Sequence, residues 1–176
     1  FVVGHFHIVM GMTAILAMFA GVYHWFPKLY GKMMNLRMGM VHFWFTIVCG
    51  YGVFIPMHFL GEGGMPRRYY ENTNFPMFDH FLDLNVLISI FATIGVIAQV
   101  IFFFNFIYSS FRGPKASQNP WNANSLEWTT PVEHIHGNWY GELPVVYRWP
   151  YDYSKPGKEN DFVPQNVPLD ADEEEH

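Results

Sequence analysis

A single cysteine, Cys49, stands among the 176 residues. An internal disulfide is therefore excluded, and so is any cluster built on several thiolates. Its place in an apolar run marks it as a small buried thiol. Charge is also scarce, with 14% of residues being Asp, Glu, Lys or Arg. The ten Lys and Arg residues do not cluster, which excludes nucleic acid as a partner. The net charge of −5 comes mostly from the last residues, and the run Asp170 to His176 reads as solvated or disordered. No internal repeat is present.

What the chain holds in abundance is apolar and aromatic surface, 51% and 19% of residues. These residues concentrate in the first two thirds, in stretches of membrane length. About 30 Å of hydrocarbon needs about 20 residues at a helical rise of about 1.5 Å. A soluble fold would need a core far larger than so short a chain can bury. The predicted fold is all-α and integral to a membrane. Residues 1–111 form the transmembrane region, with spans at about 1–26, 38–60 and 82–111, and 112–176 form a tail. Pro27 is expected to stop the first span, and Pro56 to loosen the end of the second. The third is long enough to tilt or project. The chain opens inside a helix pattern, Phe1-Val2-Val3, and reads as the C-terminal portion of a longer polypeptide.

Basic residues set the expected orientation. Lys28, Lys32 and Arg37 fall in the first loop, and Arg112 and Lys115 follow the third span. The second loop has Arg67 and Arg68, beside Glu62, Glu71 and Asp79. The first loop and the tail are therefore placed inside. The second loop and the start of the first span are placed outside. Residues 113–164 are rich in Pro, Asn, Trp and Tyr. They are expected to form an extended arm on the inner face of a larger assembly, since aromatics are poorly represented in disordered chains.

His5-Phe6-His7 stands at the head of the first span. Histidine is expensive in lipid, so an intramembrane one is a functional candidate. Two residues on an α-helix turn through roughly 200°, which points the two side chains to nearly opposite faces. One shared metal ion does not suit that arrangement; one cofactor on each side does. Neutral imidazole is a good axial ligand for haem iron. Hydrogen bonding to neighbouring helices suits the same spacing. Arg67 and Arg68 lie on the same expected side, after Gly63-Gly64-Met65-Pro66. Guanidinium matches a carboxylate with a two-pronged fork, and haem presents two carboxylates on one edge. Solvated or lipid-phosphate-binding arginines are the plainer reading. His42, His58 and His80 read as hydrogen-bonding groups near helix ends, and Asn85, Gln99 and Asn105 as interhelical hydrogen-bonding residues.

Together these residues resemble subunit one of the haem–copper oxidases, in particular cytochrome c oxidase. The match begins at Gly4-His5-Phe6-His7 and continues through Ala20-Gly21-Val22-Tyr23-His24-Trp25-Phe26-Pro27 and Val41-His42-Phe43-Trp44. It is strong at His58-Phe59-Leu60-Gly61 with Gly64-Met65-Pro66-Arg67-Arg68-Tyr69. In the tail it includes Asn119-Pro120-Trp121, Leu126-Glu127-Trp128 and His136-Gly137-Asn138. The sequence departs from the family at Ile8, where Tyr is frequent, and at Pro131-Val132-Glu133-His134-Ile135-His136, which replaces a proline-rich stretch. His134 and His136 read as a surface pair touching a partner subunit rather than as a second metal site.

The resemblance implies that the spans are the last three of twelve helices. It implies two haems of the A type, with His5 ligating the high-spin haem where oxygen is reduced and His7 the low-spin haem. Arg67 and Arg68 match the arginines that bind haem propionates. Copper B lies nearby, with its ligands outside this chain. The implied reaction is reduction of oxygen to water with electrons from cytochrome c, coupled to proton translocation. The implied partners are the remainder of subunit one, other oxidase subunits including a copper-bearing subunit two, cytochrome c as donor, and membrane lipid. The bacterial plasma membrane is favoured over the mitochondrial one. A quinol oxidase, a nitric-oxide reductase and a non-catalytic haem-carrying membrane subunit are the alternatives.

Overall fold

The computed structural model describes residues 1–68, 71, 74–131, 137–139, 141–152 and 163–168. The readings placed on His134, His136 and the acidic end lie outside these residues. The chain divides into two compact units, 1–26 with 34–114 and 27–33 with 115–176.

Three helices are long and apolar enough to cross a membrane: Val2–Tyr30, Leu36–Glu62 and Pro76–Arg112. The third consists of a 3-10 turn, Pro76–Phe81, leading into the α-helix Leu82–Arg112. Among the described residues no strand forms; Lys32 and Lys115 make an isolated antiparallel bridge. The predicted all-α, three-span class is the observed one.

The expected stop at Pro27 is corrected: the helix carries Pro27 inside it and runs on to Tyr30. Proline forfeits one N–H donor and crowds the preceding turn, but membrane helices absorb that lesion when the chain around it stays helical. The stop falls instead at Gly31, whose φ of +63° is the left-handed conformation that closes helices, and whose N–H donates to the Pro27 carbonyl at 2.8 Å. The second helix likewise passes through Pro56 and ends only at Glu62. It begins earlier than expected because Asn35 caps it, its side-chain oxygen accepting from the Met38 N–H at 3.1 Å.

Within the first unit, one apolar cluster forms around Phe26, Met34 and Phe102, with Phe19, Val22, Tyr23 and Phe106 packed against it. A second forms around Val53, Leu60 and Ile88, joined by Phe54, Met57 and Leu84. Two polar clamps tie the second helix to the third. His42, 2% exposed, donates through Nε2 to the Gln99 side-chain oxygen at 3.0 Å, and the Gln99 amide donates to Thr46 Oγ1 at 3.1 Å. Asn105, fully buried, accepts from the Asn35 N–H at 3.1 Å and donates to the Asn35 carbonyl at 3.0 Å. Ser109 Oγ donates to the same Asn105 oxygen at 3.0 Å. Much of the remaining helix surface is apolar and exposed, including Val96, Val100, Phe103, Phe104 and Phe111. Helices apolar on every side belong in hydrocarbon or inside a larger protein.

In the second unit, Trp128 is 2% exposed within the turn Leu126–Trp128. The Lys28 ammonium lies 5.5 Å from the centre of its ring and donates to the Glu127 carbonyl and to Thr130. Gln165 stitches separate segments: its side-chain oxygen accepts from the Leu126 N–H at 3.0 Å, its amide donates to the Arg148 carbonyl at 3.1 Å, and its backbone N–H donates to the Asn124 carbonyl at 2.9 Å. This part of the tail is locally tied to itself through polar groups.

Candidate functional site

The first helix carries both paired histidines, and its geometry changes between them. Residues Val2–Phe6 are α-helical; His7–Met12 form a π-helical stretch before the α-helix resumes at Thr13. A π-turn is wider than an α-turn and recurs at functional sites. The angular spacing of a regular α-helix therefore holds only up to His7, and nothing in the side-chain pattern signals the change.

The two imidazoles have different surroundings. His7 is half-buried and stacks on Phe54 of the second helix, ring centres 5.0 Å apart and planes 18° from parallel. Its Nδ1 lies 2.8 Å from the Val3 carbonyl oxygen. A carbonyl can only accept, so Nδ1 carries the proton in this pairing, and the neutral ring keeps its lone pair on Nε2. Metal-ligating histidines are oriented in this way, with one ring nitrogen donating to a backbone oxygen and the other left for the metal. His5 is exposed. Its ring lies 6.3 Å from that of Phe1 and 6.4 Å from that of His58, centre to centre.

Gly4 lets the first helix approach the second. A Cβ built on it would lie 2.8 Å from the Phe54 carbonyl oxygen and 2.9 Å from His58 Nδ1. Only hydrogen at this position lets the backbones come so close.

The Arg pair is placed by the way the second helix ends. Gly64, at φ +83°, is the left-handed residue of a Schellman motif. The Met65 N–H reaches the Leu60 carbonyl at 3.0 Å and the Gly64 N–H reaches the Gly61 carbonyl at 3.1 Å. Met65 packs on the cluster that contains Leu60, the apolar contact that accompanies such a stop. The chain is thereby turned so that Arg67 and Arg68, both exposed, border a cavity of about 720 Å³ shared with Val2, Val3, Leu60 and Met65. Arg68 has φ +70°, a conformation that costs a non-glycine residue about 1–2 kcal/mol. Such strain collects at ligand clamps.

The structure thus brings the start of the histidine-bearing helix and the arginine pair to one cavity. Among the described residues, no group of three or more His, Cys, Asp or Glu is placed to hold a metal ion; axial haem ligation asks for one imidazole per face and needs no such group. Sequence reasoning missed the Phe54 stack and the fit of His58 against Gly4. The Gly4 signal lay in the sequence, directly before His5, but its partner across the helix pair did not.

Three apolar spans, with a π-turn that begins at His7 and a cavity bordered by Arg67 and Arg68, define a helical membrane protein. The family model described as cytochrome C and quinol oxidase polypeptide I matches residues 1–94. An alternative cytochrome c oxidase subunit 1 from Bradyrhizobium diazoefficiens is 47% identical over 172 residues, covering 96% of this chain and 29% of that protein. Cytochrome c oxidase subunit 1 of Thermostichus vulcanus is 40% identical and that of Synechocystis 43%, each over 154 residues, covering 87% of this chain and 27% of the relative. The chain belongs to the cytochrome c and quinol oxidase polypeptide I family, and it is an integral membrane protein. It spans under a third of the length of these relatives.

Proposed function

We propose that this chain supplies axial imidazoles to two haems within the catalytic subunit of a respiratory terminal oxidase. His5 serves the high-spin haem at which oxygen is reduced, and His7 serves the low-spin haem that delivers electrons. The observation that carries this reading is the His7 bond to the Val3 carbonyl, which engages Nδ1, leaves Nε2 as the ring nitrogen for a ligand and pins the ring against Phe54. The exposed ring of His5 is open to a ligand of its own. Haem iron bound at these positions supplies oxygen binding and one-electron transfer.

This chain's residues then have separable tasks. His7 is held in one tautomer by a backbone acceptor that does not titrate. Phe54 fixes the plane of its ring. Arg67 and Arg68 neutralise the carboxylates of the haems at the shared cavity, and the left-handed backbone at Arg68 is the local cost of aiming its guanidinium. The second loop lies outside and residues 112–176 form the inner-face tail, in a bacterial plasma membrane. The donor is cytochrome c, a reading supported by relatives named as cytochrome c oxidase subunits. The two haems are of the A type, and copper B is held by residues outside this chain. The remainder of subunit one and a copper-bearing subunit two complete the assembly, which couples oxygen reduction to proton translocation.

Optical spectra of the purified complex test the reading, recorded oxidised, reduced, and reduced with carbon monoxide. Two haem signals are expected, with one shifted by carbon monoxide. A single haem, or none that responds to carbon monoxide, would move the assignment to an electron-carrying or structural subunit.

A further inference from the structure

His58 has no task in the mechanism above, yet its ring packs beside that of His5. Three contacts define it. Its Nδ1 donates to the Phe54 carbonyl at 2.8 Å, since that oxygen can only accept. Its ring occupies the space that a side chain on residue 4 would take, with Nδ1 2.9 Å and Cε1 3.1 Å from the Cβ that Gly4 lacks. The same ring meets Phe1 edge-on at 5.0 Å and His5 edge-on at 6.4 Å, centre to centre. The Gly4 notch holds the ring against the turn that carries His5. The arrangement parallels His7, whose Nδ1 also donates four residues back, to Val3.

We propose that His58 is a positioning residue for His5. Its ring acts as a wedge between the first two helices that fixes the direction of the His5 imidazole. The proposal rests on the reading of His5 as the ligand of the high-spin haem. His7 is held by the Val3 carbonyl and the Phe54 ring, whereas His58 meets Phe54 at its backbone carbonyl. Loss of the wedge is therefore felt at one haem and not at the other. A ring without nitrogen keeps the wedge, because the Phe54 carbonyl already belongs to the second helix and loses little when the side-chain donor goes.

The test uses the purified membrane complex containing this chain, in three variants: His58→Ala, His58→Phe and His5→Ala. Resonance Raman spectra of the reduced complex report the iron–histidine stretch of the high-spin haem, and optical spectra report the low-spin band and haem content. His58→Ala should broaden and shift the iron–histidine band while the low-spin band stays in place. His58→Phe should return that band close to its original position and width. An unchanged band in His58→Ala overturns the proposal. So does an equal shift in both His58 variants, which would assign the effect to the lost N–H. Loss of both haems together in His58→Ala and His58→Phe also overturns it, since a wedge at His5 acts selectively. His5→Ala separates this from failure of the underlying reading: an iron–histidine band that survives there removes His5 as the ligand, whatever His58 does.

Discussion

His5 and His7 lie two residues apart and live in different environments, one exposed beside Phe1 and His58, the other half-buried on Phe54. Substituting them singly should therefore give different losses. His5→Ala should abolish carbon monoxide binding and leave the low-spin signal largely in place; His7→Ala should do the reverse. Identical spectra from the two variants would end the two-haem assignment. At Arg68 the backbone and the charge can be separated in the same way. Arg68→Gly releases the left-handed strain and should stabilise the folded chain by up to about 1 kcal/mol, whereas Arg68→Gln keeps the strain. Both remove a positive charge, so both should lower the haem potentials, because a nearby cation favours the reduced state. Redox titration beside thermal melting checks this. Unchanged potentials in both variants would leave Arg68 facing only water or lipid.

Two glycines set the local geometry for opposite reasons, and their replacement should show it. At Gly64 a Cβ would meet nothing within 4 Å, so the cost of Gly64→Ala is conformational, about 1 kcal/mol. At Gly4 the added carbon would press on the Phe54 carbonyl and on His58, so Gly4→Ala should cost about 1–3 kcal/mol and disturb the haem spectra as well. Melting of the purified variants, followed by haem absorbance, distinguishes the two, and equal losses with unperturbed spectra would refute the close-approach argument. The same contrast, between local conformation and distant neighbours, divides what was legible in the sequence from what was not. Span number and class followed from apolar length alone. Hydrogen bonding by His42, Gln99 and Asn105 followed from the cost of polar groups in lipid. The continuation past Pro27 was not legible, because the left-handed closure at Gly31 outweighs the usual rule for proline. The early start of the second helix was legible in Asn35, a strong cap residue. The π-turn after His7 has no signature in spacing, and the His58–Gly4 fit depends on a neighbour distant in the chain.

At the scale of the whole molecule, the helices leave most of their apolar surface uncovered: the most hydrophobic window of each is only 17–22% buried. Such surface is stable only in lipid or against further protein. The proposed side of each loop rests on charge instead. Lys28, Lys32 and Arg37, in and beside the first loop, and Arg112 and Lys115, at and beyond the end of the third helix, oppose Arg67 and Arg68 of the second loop, where acids accompany them. Cys49, buried and 4% exposed, makes the arrangement measurable, because it leaves no reactive thiol at the surface of the described residues. Glu71→Cys places a thiol in the second loop, and Ser117→Cys places one after the third span; both positions are exposed. In intact cells a membrane-impermeant maleimide should label the Glu71→Cys variant and spare the Ser117→Cys variant, and after lysis both should react. Labelling of the Ser117→Cys variant from outside would invert the topology. Arg67 and Arg68 would then lie on the side where basic residues are ordinary, and their pairing with haem carboxylates would have to stand on the shared cavity and the strained Arg68 backbone alone.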